Sequence, residues 1–315
     1  MNIGIVSGGS IVREFLSVSH LLTNVTVTAI FTRRKSVAEE LAAEYNIPRI
    51  CGSFDELLAA DSVDFVYIAV PNHLHFEFAK KALLSGKNVI LEKPFTVTFN
   101  ETKELCELAK ERRLYLFEAI SNLYSPVLSA IRAGIDKIGR IKSVRADYLQ
   151  RSRRYDDFKT GIIHPVFDPE KHGGVMMDLG VYCLHLLVFI FGSPTHCKYM
   201  PKIEKGVDTE GEFRLDFDGF SAGGIISKTT DGECGLFIEG ENGRIESRGK
   251  PNQLCEAVIA AGGDSTSYSG IGGSGRLTYE WNAFAEIYQN GDYDRMLSLL
   301  ECTCRVAEVL EKFKN

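Results

Sequence analysis

Residues 2–12 read Asn2-Ile3-Gly4-Ile5-Val6-Ser7-Gly8-Gly9-Ser10-Ile11-Val12. This order predicts a short buried strand over Asn2–Val6, a glycine turn, and a helix opening at Ser10. The first N–H groups of a helix have no intrahelical acceptor, so at the mouth of such a turn they suit a pyrophosphate. A dinucleotide fingerprint would place glycine at Ser7, Gly9 and Val12; only Gly9, where backbone approaches pyrophosphate, is kept, with Gly8 beside it. Taken alone, Gly8, Gly9, Ser10 and Ile11 are as compatible with an ordinary turn as with a cofactor site.

Working outward, strand and helix signals alternate. Ser10–Leu22 continues as a helix, and Val25–Phe31 is a second strand with β-branched residues alternating. Val37–Tyr45 is a helix with Pro48 just past its end, and Phe54–Ala60 is a short one with Ser53 as N-cap and Glu56 completing a capping box. Strands are expected over Phe65–Val70, Asn88–Leu91 and Leu114–Glu118, and helices over Leu74–Leu84 and Thr98–Arg112. Strands buried on both faces, each followed by a helix, specify a doubly wound parallel sheet of the Rossmann type. The pattern then changes, and we place a domain boundary near Asn122, giving domains 1–121 and 122–315. Helix Ser125–Ala133, a long alternating strand Ile141–Gln150 and a helix Gly174–Phe191 lead into strands His196–Met200, Glu210–Phe217, Ala222–Thr229, Cys234–Glu239 and Arg244–Ser247. Their short connections predict an open, mainly antiparallel sheet in an α+β domain. Gly262–Gly275, rich in Gly and Ser, reads as a mobile loop or linker, before helices Tyr279–Gln289 and Tyr293–Phe313.

Bulk properties narrow the function classes. The 315 residues are 44% hydrophobic and 25% charged, with net charge −6, which is globular and acidic. Such a chain is a poor nucleic-acid binder, because phosphate contacts dominate that affinity. Arg151, Arg153 and Arg154 form the densest basic patch, a solvated or anion-facing loop. The eight cysteines show no CxxC spacing and no zinc-ligand pattern, so no metal is expected and reduced thiols in a cytoplasmic setting are. The start lacks a signal-peptide pattern, and the apolar run Leu184–Phe191 is too short to span a bilayer, so no membrane association is expected.

The end of the second strand is where a ribose-reading residue belongs. An NAD site would want a carboxylate there; the chain has Thr32-Arg33-Arg34-Lys35. Cations suit a 2′-phosphate and stack on adenine, so NADP is favoured over NAD.

Three further stretches are more specific. Val63-Asp64-Phe65-Val66-Tyr67-Ile68-Ala69-Val70-Pro71-Asn72-His73-Leu74-His75 is one, and Gly86-Lys87-Asn88-Val89-Ile90-Leu91-Glu92-Lys93-Pro94-Phe95 another. The third is Gly173-Gly174-Val175-Met176-Met177-Asp178-Leu179-Gly180-Val181-Tyr182. Together they resemble the Gfo/Idh/MocA family across essentially the whole chain, most closely its dihydrodiol dehydrogenase and xylose dehydrogenase branch. The resemblance implies a Rossmann domain followed by an open sheet whose exposed face makes a homodimer or homotetramer contact. It implies that Ala69, Val70, Pro71, Asn72 and His75 touch the ribose and nicotinamide, that Glu92 helps hold that region, and that Lys93 lies beside nicotinamide and substrate hydroxyl.

Chemistry gives these residues a use. Oxidising an alcohol carbon sends hydride to nicotinamide, and needs a base for the hydroxyl proton and a cation for the developing alkoxide. Lys93 sits at the carboxyl end of a strand, where open α/β sheets bind ligands. Asp178 and Tyr182 are four apart, on one face of a helix. Many family members carry histidine where Tyr182 stands, so the proton carrier lies between Lys93 and Tyr182. His185 reads as a core or interface histidine. Relatives often carry an arginine a few residues before Pro126, where this chain has Ser121-Asn122-Leu123-Tyr124-Ser125, so specificity does not transfer. The expected function is NAD(P)-dependent hydride transfer with a sugar, polyol or related hydroxy/carbonyl compound. The alternatives are an NAD-dependent glycosidase using transient oxidation and a non-catalytic NAD(P)-binding regulator.

Overall fold

A computed structural model describes residues 1–314, which fall into two compact units: Met1–Ala119 with Leu277–Cys304, and Ile120–Arg276 with the chain from Arg305. In the first unit the order is β1 (Asn2–Val6), α1 (Ser10–Val18), β2 (Thr26–Phe31), α2 (Lys35–Tyr45), β3 (Arg49–Ile50), α3 (Phe54–Leu58), β4 (Phe65–Ile68), α4 (His75–Leu84), β5 (Asn88–Glu92), α5 (Phe99–Arg112) and β6 (Leu116–Ala119). The strands form one parallel sheet in the order β3-β2-β1-β4-β5-β6. Every residue of β4 and β6 is buried, the signature of a sheet covered on both faces.

Local chemistry sets the limits of these elements. Thr98 and Glu101 form a reciprocal capping box at the start of α5, and Arg113, at φ 53°, ends it in the left-handed region. Ser53 caps α3 through the Glu56 N–H, as the sequence predicts. The core of this unit is aromatic. Phe15 stacks on Trp281 at 3.9 Å, Tyr67 meets Trp281 edge-on at 5.0 Å, and Phe117 stacks on Phe284 at 4.5 Å. Each such pair adds about 0.5–1.5 kcal/mol beyond its area burial.

The second unit contains α6 (Pro126–Gly134), β7 (Ile141–Leu149), α7 (Tyr155–Thr160), α8 (Val181–Phe191), β8 (His196–Glu204), β9 (Val207–Phe217), β10 (Phe220–Ser227), β11 (Gly235–Gly240), β12 (Gly243–Arg248), β13 (Glu256–Ala261) and β14 (Asp264–Ser269). Its eight-stranded sheet runs β14-β13-β12-β11-β7-β10-β9-β8, antiparallel except for the parallel pair β7–β10. Strict alternation of burial along β9 turns Val207, Thr209, Phe213, Leu215 and Phe217 inward and leaves the other face open. The chain closes with α9 (Arg276–Gln289) and α10 (Tyr293–Lys312).

Three expectations change. The Gly262–Gly275 stretch is not a linker: β14 runs through it, joined to β13 by Gly262-Gly263 with φ 62° and 93°. Positive φ at both central residues is what the favoured two-residue hairpin turn demands. The helix expected over Gly174–Phe191 opens with a π turn, Met176–Gly180, before α8. The helix expected over Ser10–Leu22 is α1 followed by a 3-10 turn, Ser19–Leu21. The stretch Pro169–Phe191 has the length and hydropathy to cross a membrane, but 72% of its most apolar window is buried inside the fold, as for a core helix.

Candidate functional site

In the first unit the turn after β1 keeps a glycine-like backbone without the glycine. Ser7 has φ 117°, a region where a side chain costs energy, and its N–H donates to the Phe31 carbonyl at 3.0 Å. A Cβ on Gly8 would sit 2.5 Å from Val37 Cγ1, so glycine lets α2 approach. A Cβ on Gly9 would meet nothing nearer than Ser7 Oγ at 3.7 Å, so the backbone there is open to close approach. Gly9 and Ser10 are exposed and Ile11 half-buried; α1 begins with no side-chain cap and no acidic residue in its first turn. An uncapped helix N-terminus over a bare backbone fits a pyrophosphate.

At the end of β2, Thr32 Oγ1 donates to the Arg34 carbonyl at 2.6 Å. Lys35 is paired with Glu39 at 3.4 Å, whereas Arg33 and Arg34 are exposed and, among the described residues, have no carboxylate within ion-pair distance. The half-buried loop Ala69-Val70-Pro71-Asn72 follows β4, with the Ala69 N–H on the Val6 carbonyl at 3.2 Å. His75, 1% exposed, turns inward: Nε2 lies 2.9 Å from the Val70 carbonyl oxygen and Nδ1 2.8 Å from that of Pro94. One imidazole thus staples the loop after β4 to the turn after β5. Burial pushes its pKa down, against the pull of the three carbonyls of Val70, Pro94 and Phe95. Lys93 is half-buried at the end of β5 and enters a cis bond to Pro94. Glu92, buried just before it, accepts the Tyr67 hydroxyl at 2.6 Å.

In the second unit the segment carrying Asp178 and Tyr182 is held at several points. Gly174 has φ 124°, and a Cβ there would run into the Asp208 carboxylate. That carboxylate accepts the Met176 N–H at 2.9 Å and the Tyr199 hydroxyl at 2.6 Å, anchoring the start of the π turn. Gly180 lets Met176 and Ile226 close in, since a Cβ there would lie 2.9 Å from Ile226 Cδ1. Asn122 Nδ2 donates to the Tyr182 carbonyl at 3.0 Å. The Asp178 side chain, 35% exposed, is ion-paired with Lys228, whose own side chain is 3% exposed and lies over the Phe167 ring. Tyr148 and Tyr182 have ring centroids 6.3 Å apart. Burial pushes the Tyr148 hydroxyl up, with Tyr182 and Asp178 nearby adding to it; its proton is directed at Gln150 Oε1, 3.3 Å away.

The sequence residues therefore divide between the units: Gly8, Gly9, Ser10, Ile11, Thr32, Arg33, Arg34, the Ala69–Asn72 loop, His75, Glu92 and Lys93 in the first, Asp178 and Tyr182 in the second. His185 is buried in α8, as a core histidine. Arg151 is taken up by a bidentate contact with Asp156, while Arg153 and Arg154 are exposed. Sequence reasoning missed Lys228, Asn122, Tyr148 and Asp208. For Lys228 a signal existed: it is two residues beyond the buried Ile226, so strand alternation turns it to the same face.

Comparison with known proteins agrees with this architecture. A family model described as the oxidoreductase family with an NAD-binding Rossmann fold matches residues 1–119, and the GFO/IDH/MocA C-terminal domain matches residues 129–246. The scyllo-inositol 2-dehydrogenase (NADP(+)) IolU of Bacillus subtilis is 36% identical over 242 residues, which is 76% of this chain and 74% of that one. The mouse trans-1,2-dihydrobenzene-1,2-diol dehydrogenase is 32% identical over 69% of this chain and 65% of its own. Among solved structures, the open form of KijD10, a 3-ketoreductase from Actinomadura kijaniata in complex with TDP-benzene and NADP, shares the fold with a TM-score of 0.85 at 23% identity, covering 100% of this chain and 97% of that one. With two family models matching successive parts of it and a relative this similar over three-quarters of its length, the chain belongs to the Gfo/Idh/MocA family of NAD(P)-dependent oxidoreductases.

Proposed function

We propose that this enzyme transfers hydride between NADP and a secondary alcohol or ketone of a polyol, sugar or cyclic diol. The observation that carries the reading is the retention of three groups in one chain: a half-buried lysine at the carboxyl end of β5, and a carboxylate and a phenol four residues apart at the entry to α8. The names of the relatives point the same way, toward inositol and dihydrodiol substrates.

NADP, when bound, supplies the nicotinamide carbon that exchanges the hydride. The pyrophosphate falls to the backbone N–H groups at Gly9 and Ser10 with Gly8 and Ile11 beside them, and the 2′-phosphate to Thr32, Arg33 and Arg34. The Ala69–Asn72 loop contacts the ribose and nicotinamide, with His75 and Glu92 holding that loop and the Lys93 turn in place. The Lys93 ammonium donates to the substrate oxygen and stabilises the alkoxide as its charge develops. Tyr182, as the phenolate, takes the hydroxyl proton during oxidation, and as the phenol returns it during reduction. Asp178 accepts a hydrogen bond from a neighbouring substrate hydroxyl and so selects polyhydroxylated compounds. The reading extends to a cytoplasmic, homo-oligomeric enzyme with a second copy on the open sheet face, a reading supported by the exposed Met200, Ile203 and Ile225.

The test begins with nicotinamide fluorescence and melting-temperature titrations against NADPH and NADH. Preference for NADPH supports the cofactor assignment. Oxidation of scyllo-inositol and of trans-1,2-dihydrobenzene-1,2-diol is then followed for wild type, Lys93→Met and Tyr182→Phe. Undiminished turnover in either variant removes that residue from the chemistry.

A further inference from the structure

Lys228 is a charged residue that none of the proposed catalytic roles uses, yet the fold places it with care. Its backbone is stitched on both sides: its N–H donates to the Thr209 carbonyl at 2.9 Å, and its own carbonyl accepts the Ser152 N–H at 2.9 Å. Its side chain is 3% exposed, lies 5.3 Å from the centre of the Phe167 ring, and pairs with the Asp178 carboxylate. Burying an ammonium is costly unless a counter-ion and hydrogen bonds offset the loss of water. A lysine in that position is therefore held against its partner, whereas the partner's side chain is 35% exposed. The register explains how they meet. Ile226 lies on β10's inward face and Lys228 just past the strand's end, and Gly180 and Asp178 are two apart in the π turn, with Ile226 closing against Gly180.

We propose that Lys228 is the positioning residue for Asp178: it keeps the carboxylate ionised and fixes which oxygen faces substrate, so that a polyol hydroxyl meets an acceptor already in place. Lys228 does not touch the reacting atoms. The proposal rests on the role given above to Asp178. The Tyr148 phenol also feels the charge of that carboxylate.

The experiment compares wild type, Lys228→Met, Lys228→Arg and Asp178→Asn. Cofactor binding is followed by NADPH fluorescence and catalysis by scyllo-inositol oxidation with NADP+, or with trans-1,2-dihydrobenzene-1,2-diol if the inositol is not turned over. In parallel, enzyme labelled with carboxyl-13C aspartate is titrated by NMR, the Asp178 signal being identified by its loss in Asp178→Asn. Lys228→Met is expected to bind NADPH as wild type does, to lose on the order of 100-fold in kcat/KM, and to raise the Asp178 midpoint by about one unit or more. Lys228→Arg is expected to keep the midpoint low and recover most of the activity, which a merely space-filling role would not require. Wild-type kcat/KM and an unmoved midpoint in Lys228→Met overturn the proposal. Full activity in Asp178→Asn overturns instead the role of Asp178 on which it rests. If wild type oxidises neither probe, the substrate class is wrong and the titration alone decides the pairing. Lys228→Gln serves if Lys228→Met does not fold.

Discussion

The hydroxyl of Tyr67, in the middle of β4, donates to Glu92 at the end of β5 at 2.6 Å, a charge-assisted bond across two neighbouring parallel strands. Both partners are buried, and burial first, then the Glu92 charge, pushes the phenol far above its ordinary pKa. The bond fixes the residue immediately before Lys93. Tyr67→Phe keeps the ring against Phe15 and Trp281 and removes only the donor. Losing one hydrogen bond to a buried carboxylate costs about 1.5–3 kcal/mol. Urea denaturation should show that loss as a lower midpoint at unchanged slope. An unchanged midpoint would mean the bond contributes nothing net.

His75 makes stability depend on pH in a predictable direction. Its folded pKa lies below the ordinary 6.5 because burial disfavours the imidazolium. As pH falls, the unfolded chain takes up the proton first, so protonation draws the protein toward unfolding. Stability is complete above the unfolded value and declines as pH drops below about 6.5 toward the lower folded value. Melting temperatures measured between neutral and mildly acidic pH should fall on this side, and His75→Gln should flatten that part of the profile. A profile identical in wild type and variant would remove His75 as its source.

Ser7 occupies a backbone conformation that suits glycine, at φ 117°. Strain of this kind costs on the order of 1–3 kcal/mol, while glycine adds back part of it through the freer unfolded chain. Ser7→Gly is therefore expected to stabilise the first unit by about 1 kcal/mol, equivalent to a rise of about 2–4 °C in melting temperature. Calorimetry checks it. NADPH affinity should hold, because the Gly9 N–H and the α1 terminus stay in place. A lower melting temperature would show that the Ser7 Oγ contact with the Gly9 N–H outweighs the strain.

The doubly wound half was legible because burial on both faces writes strands as unbroken apolar runs, such as Phe65-Val66-Tyr67-Ile68, with helix caps between them. The second sheet was harder at its edge. β14, Asp264-Ser265-Thr266-Ser267-Tyr268-Ser269, is almost wholly exposed, so it has no inward set of side chains to alternate, and its composition mimics a loop. Only Gly262-Gly263 betrays the hairpin. In the site, Lys93, Asp178 and Tyr182 stood out through local motifs. The π turn around Asp178 leaves no mark on the pattern of residues, since it changes backbone bonding and not periodicity over five positions. Lys228 was hidden by its type: a lysine near the end of an expected strand reads as solvated unless its phase with Ile226 is followed.

Arg33 and Arg34 give the last prediction, because their guanidinium groups have no carboxylate at ion-pair distance among the described residues, unlike Arg13 on α1, bound to Glu40 on α2 at 2.9 Å. Two guanidinium groups left open at the end of β2 have donors available to an anion. A hydrogen bond to a charged group contributes about 1.5–3 kcal/mol, and each 1.4 kcal/mol is tenfold in affinity. Replacing both by alanine should weaken NADPH by about 10-fold or more and leave NADH nearly unchanged, since NADH lacks the 2′-phosphate they would hold. Fluorescence titration of the two nucleotides separates the outcomes. Equal weakening of both would place the arginines on adenine or on general electrostatics, and an unaffected NADPH affinity would return them to solvent.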